Sequence, residues 1–421
     1  MSSAREKPLR VGVFGLLGSG NSGNDGSLEA VLDHLRAAHP EAVVDAMCGG
    51  PEVVATRYGI HTTRLNWYRG EYRTASRVGA MAGKALGKLV DVVRTAAWVR
   101  RHDAVIVPGM GVLETTLPLR PWGFPYSLFL LCASGRLFGT KVGLVSVGAG
   151  PIGDRPTRVL TRWSTRLAAY RSYRDTHSRD AMRSMGVDTS RDGIYTDLVF
   201  ALPAPPPNGD AGESGPVPSG TAGESGPVCV GVMDFHGNND ERDRSEEIHR
   251  RYLEGTTRFV RALVEDGRPV RLLTGDEVDR PVAAAIVDAV GSPLVTVAEA
   301  ASLSDLMKET ACADAVVATR YHNLVCALKA GTPTLALSYS TKSDALMADM
   351  GLGEFCHPAR EADAERLLER FRELEGRSPE LRRTLTERNT AAVRRVERQF
   401  ADMAAVLFGT GTETPAQQET P

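Results

Sequence analysis

The sequence predicts an α/β protein of two Rossmann-like, doubly wound lobes. The chain opens with a strand, a glycine-rich loop and a helix, and short apolar runs then alternate with helical stretches along most of its 421 residues. Residues 203–228, rich in proline, glycine and serine, interrupt this alternation. We therefore expect an N-terminal lobe at residues 1–202, a flexible linker at 203–228 and a second lobe at 229–377.

The first lobe is predicted from its apolar periodicity. Residues 9–15 form a short β-branched run, and the apolar positions of residues 27–35 recur at helical spacing. Further strands are expected at residues 42–46, 104–107, 142–147 and 193–195. The apolar run at residues 124–132 is shorter than the roughly 20 residues that span a bilayer, so it predicts a buried helix.

The same alternation predicts the second lobe. Its strands are expected at residues 228–233, 270–273, 294–297, 315–318 and 334–337. Ser378, followed by Pro379 and Glu380, has the form of an N-cap, so we expect a C-terminal helix at residues 378–409. The polar segment at 410–421 predicts a disordered tail.

Composition and charge exclude several classes of function. A net charge of −2 offers no overall attraction to nucleic acid, so we expect no nucleic-acid partner. The six cysteines show neither CxxC pairs nor zinc spacing, which indicates core residues in a reducing compartment and no metal site. The polar N-terminus lacks the pattern of a signal peptide, so a cytoplasmic location is expected. The oligomeric state stays open.

Residues 66–101 are rich in arginine and lysine with apolar residues between them. Two interpretations stay open: a basic, solvated face of an inserted helical pair, or an amphipathic helix in peripheral contact with a membrane.

Three glycine-rich loops follow predicted strands, at residues 15–26, 107–114 and 147–153. In an open parallel sheet, these positions lie at the ligand-binding edge. Neither a GxGxxG motif with its acidic partner nor a Walker lysine is present, so each loop is either a ligand site or a tight turn. The candidate ligand-binding residues are Gly20, Asn21, Gly23, Asn24, Gly109, Gly111 and Gly148.

The second lobe carries a candidate anion site. Arg320 and His322 follow a predicted strand and open a helix, where backbone N–H groups and the helix dipole favour anions. Ser340 and Lys342 follow the next strand and are expected on the same sheet edge. Arginine adds a fixed fork that matches carboxylate or phosphate. Taken singly, these side chains also suit a surface ion pair, a helix cap and a solvated loop charge.

Several motifs together resemble the polysaccharide pyruvyl transferase family. They recur in the family's order: residues 20–23, 108–111, 173–178, Asp197, 319–322 and 338–342. The resemblance implies a glycosyltransferase-B-like architecture with a C-terminal crossing helix. It also implies transfer of a pyruvyl group from phosphoenolpyruvate to a sugar-containing acceptor, with Arg320, His322 and Lys342 around the donor and no resident cofactor.

This chemistry requires a general acid and cationic clamps. His322 is the candidate acid and leaving-group partner, with Arg320 and Lys342 as clamps. Asp25 and Glu114 are candidate acceptor bases, and both also suit a structural role. Where the family usually has adjacent Asp and Glu, this chain has Asn24 and Asp25. Its second loop reads Gly-Met-Gly instead of a triple glycine.

The main alternative is a nucleotide-sugar glycosyltransferase of the same architecture, since its donor phosphates would use the same pocket. The arginine- and alanine-rich composition suggests an actinobacterial source, where such enzymes tailor sugar-bearing antibiotics such as lincosamides. A binding module without turnover is the second alternative.

Overall fold

The computed structural model describes residues 7–68, 77–113, 121–205, 226–237, 242–300 and 302–409, with side chains described at all of these except 77–82 and 242. The chain divides into two compact units. Unit 1 comprises the residues up to Ser19, Ser27–Leu198 and those from Arg394 onward. Unit 2 comprises Gly20–Gly26 and Val199–Val393. Most of the predicted linker, at residues 206–225, lies outside the described residues.

The described part of unit 1 contains a parallel sheet of seven strands in the order β3-β2-β1-β4-β5-β6-β7. The strands are β1 (Arg10–Gly15), β2 (Val43–Cys48), β3 (His61–Arg64), β4 (Ala104–Pro108), β5 (Lys141–Val147), β6 (Tyr170–Tyr173) and β7 (Gly193–Ile194). The central strands β1 and β4 are apolar and almost wholly buried, as expected for a sheet that helices cover on both faces.

Helices connect these strands in unit 1. They are α1 (Ser22–Ala38), α2 (Pro51–Tyr58), α3 (Arg77–Val99), α4 (Phe124–Phe138), α5 (Arg155–Leu167) and α6 (Thr176–Ser184). The first residues of α1 belong to unit 2. Leu28, Leu32 and Leu131 are buried in the hydrophobic core of unit 1, and α4 is the buried helix that its apolar run predicts.

The described part of unit 2 contains a parallel sheet of six strands in the order β10-β9-β8-β11-β12-β13. The strands are β8 (Val228–Val232), β9 (Val270–Thr274), β10 (Val295–Val297), β11 (Ala315–Ala318), β12 (Thr334–Ser338) and β13 (Cys356–Pro358). Its helices are α7 (Ser245–Glu265), α8 (Arg280–Val290), α9 (Leu303–Ala311), α10 (Tyr321–Lys329), α11 (Thr341–Asp349) and α12 (Ala364–Gly376). The α/β class with two doubly wound lobes is thus confirmed.

Helix α13 (Ser378–Phe408) ends the described chain, and its residues up to Val393 belong to unit 2. Ser378 is already helical and so does not act as the predicted N-cap. Within unit 1, Gln399 of α13 is fully buried. Its Nε2 donates to Ser146 Oγ at 2.8 Å and to Ser172 Oγ at 2.9 Å, and Ser146 Oγ donates to the Thr196 carbonyl at 2.6 Å. These bonds hold the helix on the sheet.

Three further sequence predictions need correction. Helix α1 begins at Ser22, five residues before the predicted start at 27, because the glycines around it were interpreted as loop. Strands β3, β6 and β13 were not predicted, since they are short and partly polar. Cys312 is exposed, whereas four other cysteines are buried as expected.

The basic segment at residues 66–101 contains helix α3. Its described surface exposes Leu86, Leu89 and Val93, each more than half accessible, at positions that share one helical face. This face is therefore apolar, whereas Lys88 and Arg94 lie beside the buried Asp91, at 3.6 and 3.3 Å from its carboxylate. None of the described helices has the length and hydropathy needed to cross a membrane.

Candidate functional site

Polar residues of unit 2 gather at the carboxyl edge of its sheet. The strand order reverses between β8 and β11: β8 leads outward to β9, and β11 leads the other way to β12. Open α/β sheets bind ligands at this reversal because the loops on its two sides diverge and leave a crevice. The loops that follow β8, β9, β11 and β12 carry the side chains of the site.

Arg320 lies between β11 and α10, as the N-cap residue of the helix. Its backbone is extended (φ −67°, ψ 134°) and its side chain does not cap the helix. The guanidinium instead contacts Asp279, with Nε at 2.9 Å from Oδ2 and Nη2 at 2.6 Å from Oδ1. Burial alone lowers the pKa of Arg320, but the hydrogen bonds and charge of Asp279 outweigh it, so the pKa is raised. The pair engages two of the five N–H donors of the guanidinium.

Asp279 is the organising residue that the sequence analysis missed. It is fully buried between β9 and α8. Besides Arg320, its carboxylate accepts the backbone N–H of Asp234 at 2.9 Å and that of Gly275 at 3.2 Å. One carboxylate thus fixes the orientation of the arginine and the backbone that follows both β8 and β9. No motif marks this aspartate, since it lies in a short turn five residues after its strand.

His322 lies in the first turn of α10, against the backbone of Gly23. A Cβ added at Gly23 would collide with Cε1 and Nε2 of the imidazole. Ser22 Oγ lies 3.4 Å from the carbonyl oxygen of Gly275, so the segment Gly20–Gly26 lies at the same edge. Only glycine allows this approach of the main chain to the ring, which gives a physical reason for the Asn-Ser-Gly sequence there.

Lys342 lies in the first turn of α11, and its Nζ is 5.9 Å from the ring centroid of Tyr321. The Tyr321 ring in turn meets His322 edge-on, with the centroids 5.4 Å apart. The structure therefore places Arg320, His322 and Lys342 along one sheet edge, linked by an aromatic ring. Ser340 is the N-cap residue of α11 without a side-chain cap, and its Oγ lies 3.1 Å from Ser343 Oγ.

Asn323 is a second residue that the sequence analysis did not select. It is fully buried, and neither Oδ1 nor Nδ2 has a hydrogen-bond partner among the described residues. Its amide faces Gly231 at the end of β8 and Gly275 after β9, where added Cβ atoms would meet Nδ2 at 2.6 Å and Oδ1 at 3.1 Å. A buried amide without partners is unfavourable by about 1–3 kcal/mol, so such groups mark sites where a ligand or water completes the bonding.

The other predicted site residues have varied surroundings. Asn21 caps α1, because its Oδ1 accepts the N–H groups of Gly23 and Asn24 at 3.1 and 3.2 Å. Asp25 is buried in the first turn of α1, and Asn24 is half-buried beside it. Gly20 is exposed and has φ +91°, so it serves the turn before the helix.

The predicted glycines of unit 1 form a hydrogen-bonded pair of loops after β4 and β5. Gly148 donates its N–H to the Met110 carbonyl at 2.8 Å and accepts the N–H of Leu113 at 3.1 Å. Gly109 packs on Ser27, while Gly111 is exposed. Both backbone groups of Gly148 are therefore engaged in structure. Glu114 lies outside the described residues.

The motif at residues 173–178 lies at the end of β6, also in unit 1. Arg174 is nearly buried, with Nη1 at 3.8 Å from Asp197 Oδ2 and Nε at 3.6 Å from Asp175 Oδ2. Asp175 caps α6 by accepting the N–H of Ser178 at 2.6 Å. This motif thus holds a buried arginine beside two carboxylates at the carboxyl edge of the first sheet.

We expected no metal site, but one group among the described residues has suitable ligand types and spacing. It consists of Asp234, His236 and His249, whose ligand atoms all lie within 4.8 Å of one another. Sequence spacing did not indicate it, because twelve residues separate His236 from His249.

Comparisons with known proteins agree with this architecture. The family model described as polysaccharide pyruvyl transferase matches residues 21–341. No curated protein sequence gives a significant match.

Solved structures share the fold at low sequence identity. A protein from Listeria monocytogenes assigned as a UDP-N-acetylglucosamine 2-epimerase has a TM-score of 0.62 at 13% identity, covering 96% of this chain and 98% of its own. The UDP-GlcNAc 2-epimerase from Neisseria meningitidis, bound to UDP-GlcNAc, has a TM-score of 0.57 at 11% identity, covering 93% and 99%. A glycosyltransferase from Rickettsia africae has a TM-score of 0.57 at 8% identity, covering 96% and 100%.

Proposed function

The chain belongs to the polysaccharide pyruvyl transferase family, and on that premise we propose that it transfers a pyruvyl group from phosphoenolpyruvate to a saccharide. The observation that carries the proposal is the edge of the second sheet, where a fixed arginine, a histidine and a lysine lie together. The buried amide of Asn323 lies beside them and has no hydrogen-bond partner in the part of the chain that the structure describes. Phosphoenolpyruvate has the matching groups, a carboxylate and a phosphate ester attached to the same carbon.

The proposed roles follow from the geometry. Asp279 holds the guanidinium of Arg320 in one orientation. The remaining N–H donors of that guanidinium are therefore preorganised for a carboxylate or phosphate. The N-termini of α10 and α11, whose N-cap side chains make no capping hydrogen bond, add backbone dipoles at the same edge. Asn323 would supply the amide that orients the donor. Lys342 supplies a second positive charge beside the ring of Tyr321.

His322 is the proposed general acid. Protonation of the donor methylene places positive charge on the adjacent carbon, which a sugar hydroxyl attacks as it loses its proton. A second hydroxyl then replaces the phosphate at that carbon, and the products are a cyclic ketal and inorganic phosphate. Asp25, buried in the first turn of α1, is our candidate for accepting the hydroxyl proton. The donor acts as a co-substrate in this scheme, without a resident cofactor.

The test is donor binding followed by turnover. Phosphoenolpyruvate is expected to raise the melting temperature, whereas UDP-, GDP- and dTDP-sugars are not. Inorganic phosphate release from phosphoenolpyruvate in the presence of saccharide acceptors then measures turnover. Stabilisation by a nucleotide sugar alone would refute pyruvyl transfer and favour the glycosyltransferase of the same fold.

A matched pair of variants separates the site from general effects on unit 2. Arg320→Lys keeps the charge but loses the fork, and we expect it to remove the response to phosphoenolpyruvate. Arg271→Lys breaks a similar ion pair, in which Nε lies 2.6 Å from Glu309 Oε2, early in strand β9 and away from its carboxyl end. It should keep the response. Equal behaviour of the two variants would contradict the site.

A further inference from the structure

We infer that Asp234, His236 and His249 form a binding site for a divalent transition-metal ion. Asp234 and His236 lie on the segment after β8, and His249 lies in the first turns of α7, all within unit 2. His236 Nε2 is 3.0 Å and His249 Nδ1 is 3.4 Å from the same oxygen, Asp234 Oδ1. The two imidazoles are stacked, with centroids 4.4 Å apart and planes 10° from parallel.

These separations match those of ligands around one ion. Metal–ligand bonds of about 2.0–2.2 Å in tetrahedral geometry put the ligand atoms roughly 3.3–3.6 Å from one another. The two distances to Asp234 lie close to this range, and all three ligand atoms lie within 4.8 Å. Because the stacked rings hold their nitrogen lone pairs nearly parallel, both imidazoles would rotate on binding so that all three atoms reach one ion.

The surroundings also favour an ion over a hydrogen-bonded trio. His249 Nδ1 is buried and has no hydrogen-bond partner among the described residues, although it faces the carboxylate. The side chains of Asp234, His236 and His249 are 35%, 41% and 23% exposed, so an ion held by them would keep open positions for water. Two imidazoles and one carboxylate suit Zn²⁺, Co²⁺ or Ni²⁺ better than Mg²⁺ or Ca²⁺.

The site connects to the candidate active site through one hydrogen bond. The backbone N–H of Asp234 donates to Asp279 Oδ1, the oxygen that Arg320 Nη2 also contacts. A metal ion would tie the segment after β8 to α7 and so hold the backbone that orients Asp279. The inference about metal binding stands on its own geometry and does not require the proposed reaction.

The experiment is a titration of the chelator-treated, untagged chain with Zn²⁺ or Co²⁺, followed by calorimetry and by the visible absorption of Co²⁺. We expect one equivalent to bind with micromolar or tighter affinity and to raise the melting temperature. His236→Gln and His249→Gln should each weaken binding by at least about tenfold, since each removes a ligand. His177→Gln, at an exposed position on α6, is the matched control and should bind as the unaltered chain does.

Two results would overturn the inference. One is the absence of any binding of either ion at micromolar concentration. The other is unchanged stoichiometry and affinity in the double variant of His236 and His249, which would place the ion elsewhere. Circular dichroism of the metal-free variants verifies that each is folded.

Discussion

Asp279→Asn tests whether one buried carboxylate organises the candidate site. In the unaltered chain Asp279 Oδ2 accepts from Arg320 Nε and Gly275 N, while Oδ1 accepts from Arg320 Nη2 and Asp234 N. Asparagine keeps one oxygen, so two of these four bonds are lost whichever way the amide is oriented. Hydrogen bonds to charged groups contribute about 1.5–3 kcal/mol each, and breaking a buried ion pair costs about 3–5 kcal/mol. We expect a loss of about 3 kcal/mol in the free energy of unfolding.

The assay follows urea unfolding with two probes. All four tryptophans, Trp67, Trp98, Trp122 and Trp163, belong to unit 1, so their fluorescence reports on that unit. Far-ultraviolet circular dichroism reports on both units. Asp279→Asn should lower the midpoint of the dichroism transition more than that of the fluorescence transition.

A double-mutant cycle with Arg320→Met isolates the pair. Each single variant leaves the other partner's charged group buried and uncompensated. The double variant should therefore lose about 2–3 kcal/mol less free energy of unfolding than the sum of the two single-variant losses. Glu309→Gln is the matched control. Because the Glu309 side chain is 17% exposed, this substitution should lower the free energy of unfolding by less than Asp279→Asn does. A coupling energy below about 0.5 kcal/mol between Asp279 and Arg320 would refute the reasoning.

Two further predictions follow from backbone geometry. Gly23→Ala should remove the response to phosphoenolpyruvate, since the new Cβ displaces the His322 ring, while the melting temperature stays unchanged or rises because alanine favours the helix. Gly376→Ala, whose new Cβ meets open space, is the control. A retained response in Gly23→Ala would contradict the contact between Gly23 and His322. At Met110, whose φ is +59°, glycine should be the milder replacement. The free energy of unfolding of Met110→Gly, measured in urea, should exceed that of Met110→Ala by about 1 kcal/mol. The reverse order would show that no backbone strain exists there.

The fold was predictable because its signals are local. Buried parallel strands such as β8 and β11 are continuous apolar runs, and each is followed by a glycine or polar loop and then a helix. Arg320 and His322 were found for the same reason, since the residues after a strand fall at the ligand-binding edge. Strand β6, with Tyr-Arg-Ser-Tyr, has no such run and was missed.

The parts of the site that were missed depend on contacts between distant segments. Asp279 matters because its carboxylate meets residues after β8, β9 and β11, and no pattern around position 279 reveals this. In the sequence, Asn323 resembles an ordinary helical residue. Its distinguishing feature is a buried amide without hydrogen-bond partners among the described residues, which no sequence pattern reveals. Asn21 was expected to bind ligand, but its spacing before Gly23 and Asn24 is also that of an N-cap, and the structure gives it that bonding.

The buried amide of Gln399 determines where helix α13 can rest along the first sheet. A slide of one helical turn would move the side chain by about 5.4 Å, away from Ser146 and Ser172. Apolar contacts such as that of Leu407 with Gly143 tolerate small displacements. After a slide of one turn, in contrast, the Gln399 amide would be buried without its hydrogen-bond partners. The hydrogen bonds of Gln399 therefore fix the C-terminal helix at a single position along the sheet. Insertion or deletion of one residue just before Gln399 should disturb the packing of this helix more than substitution of any apolar neighbour.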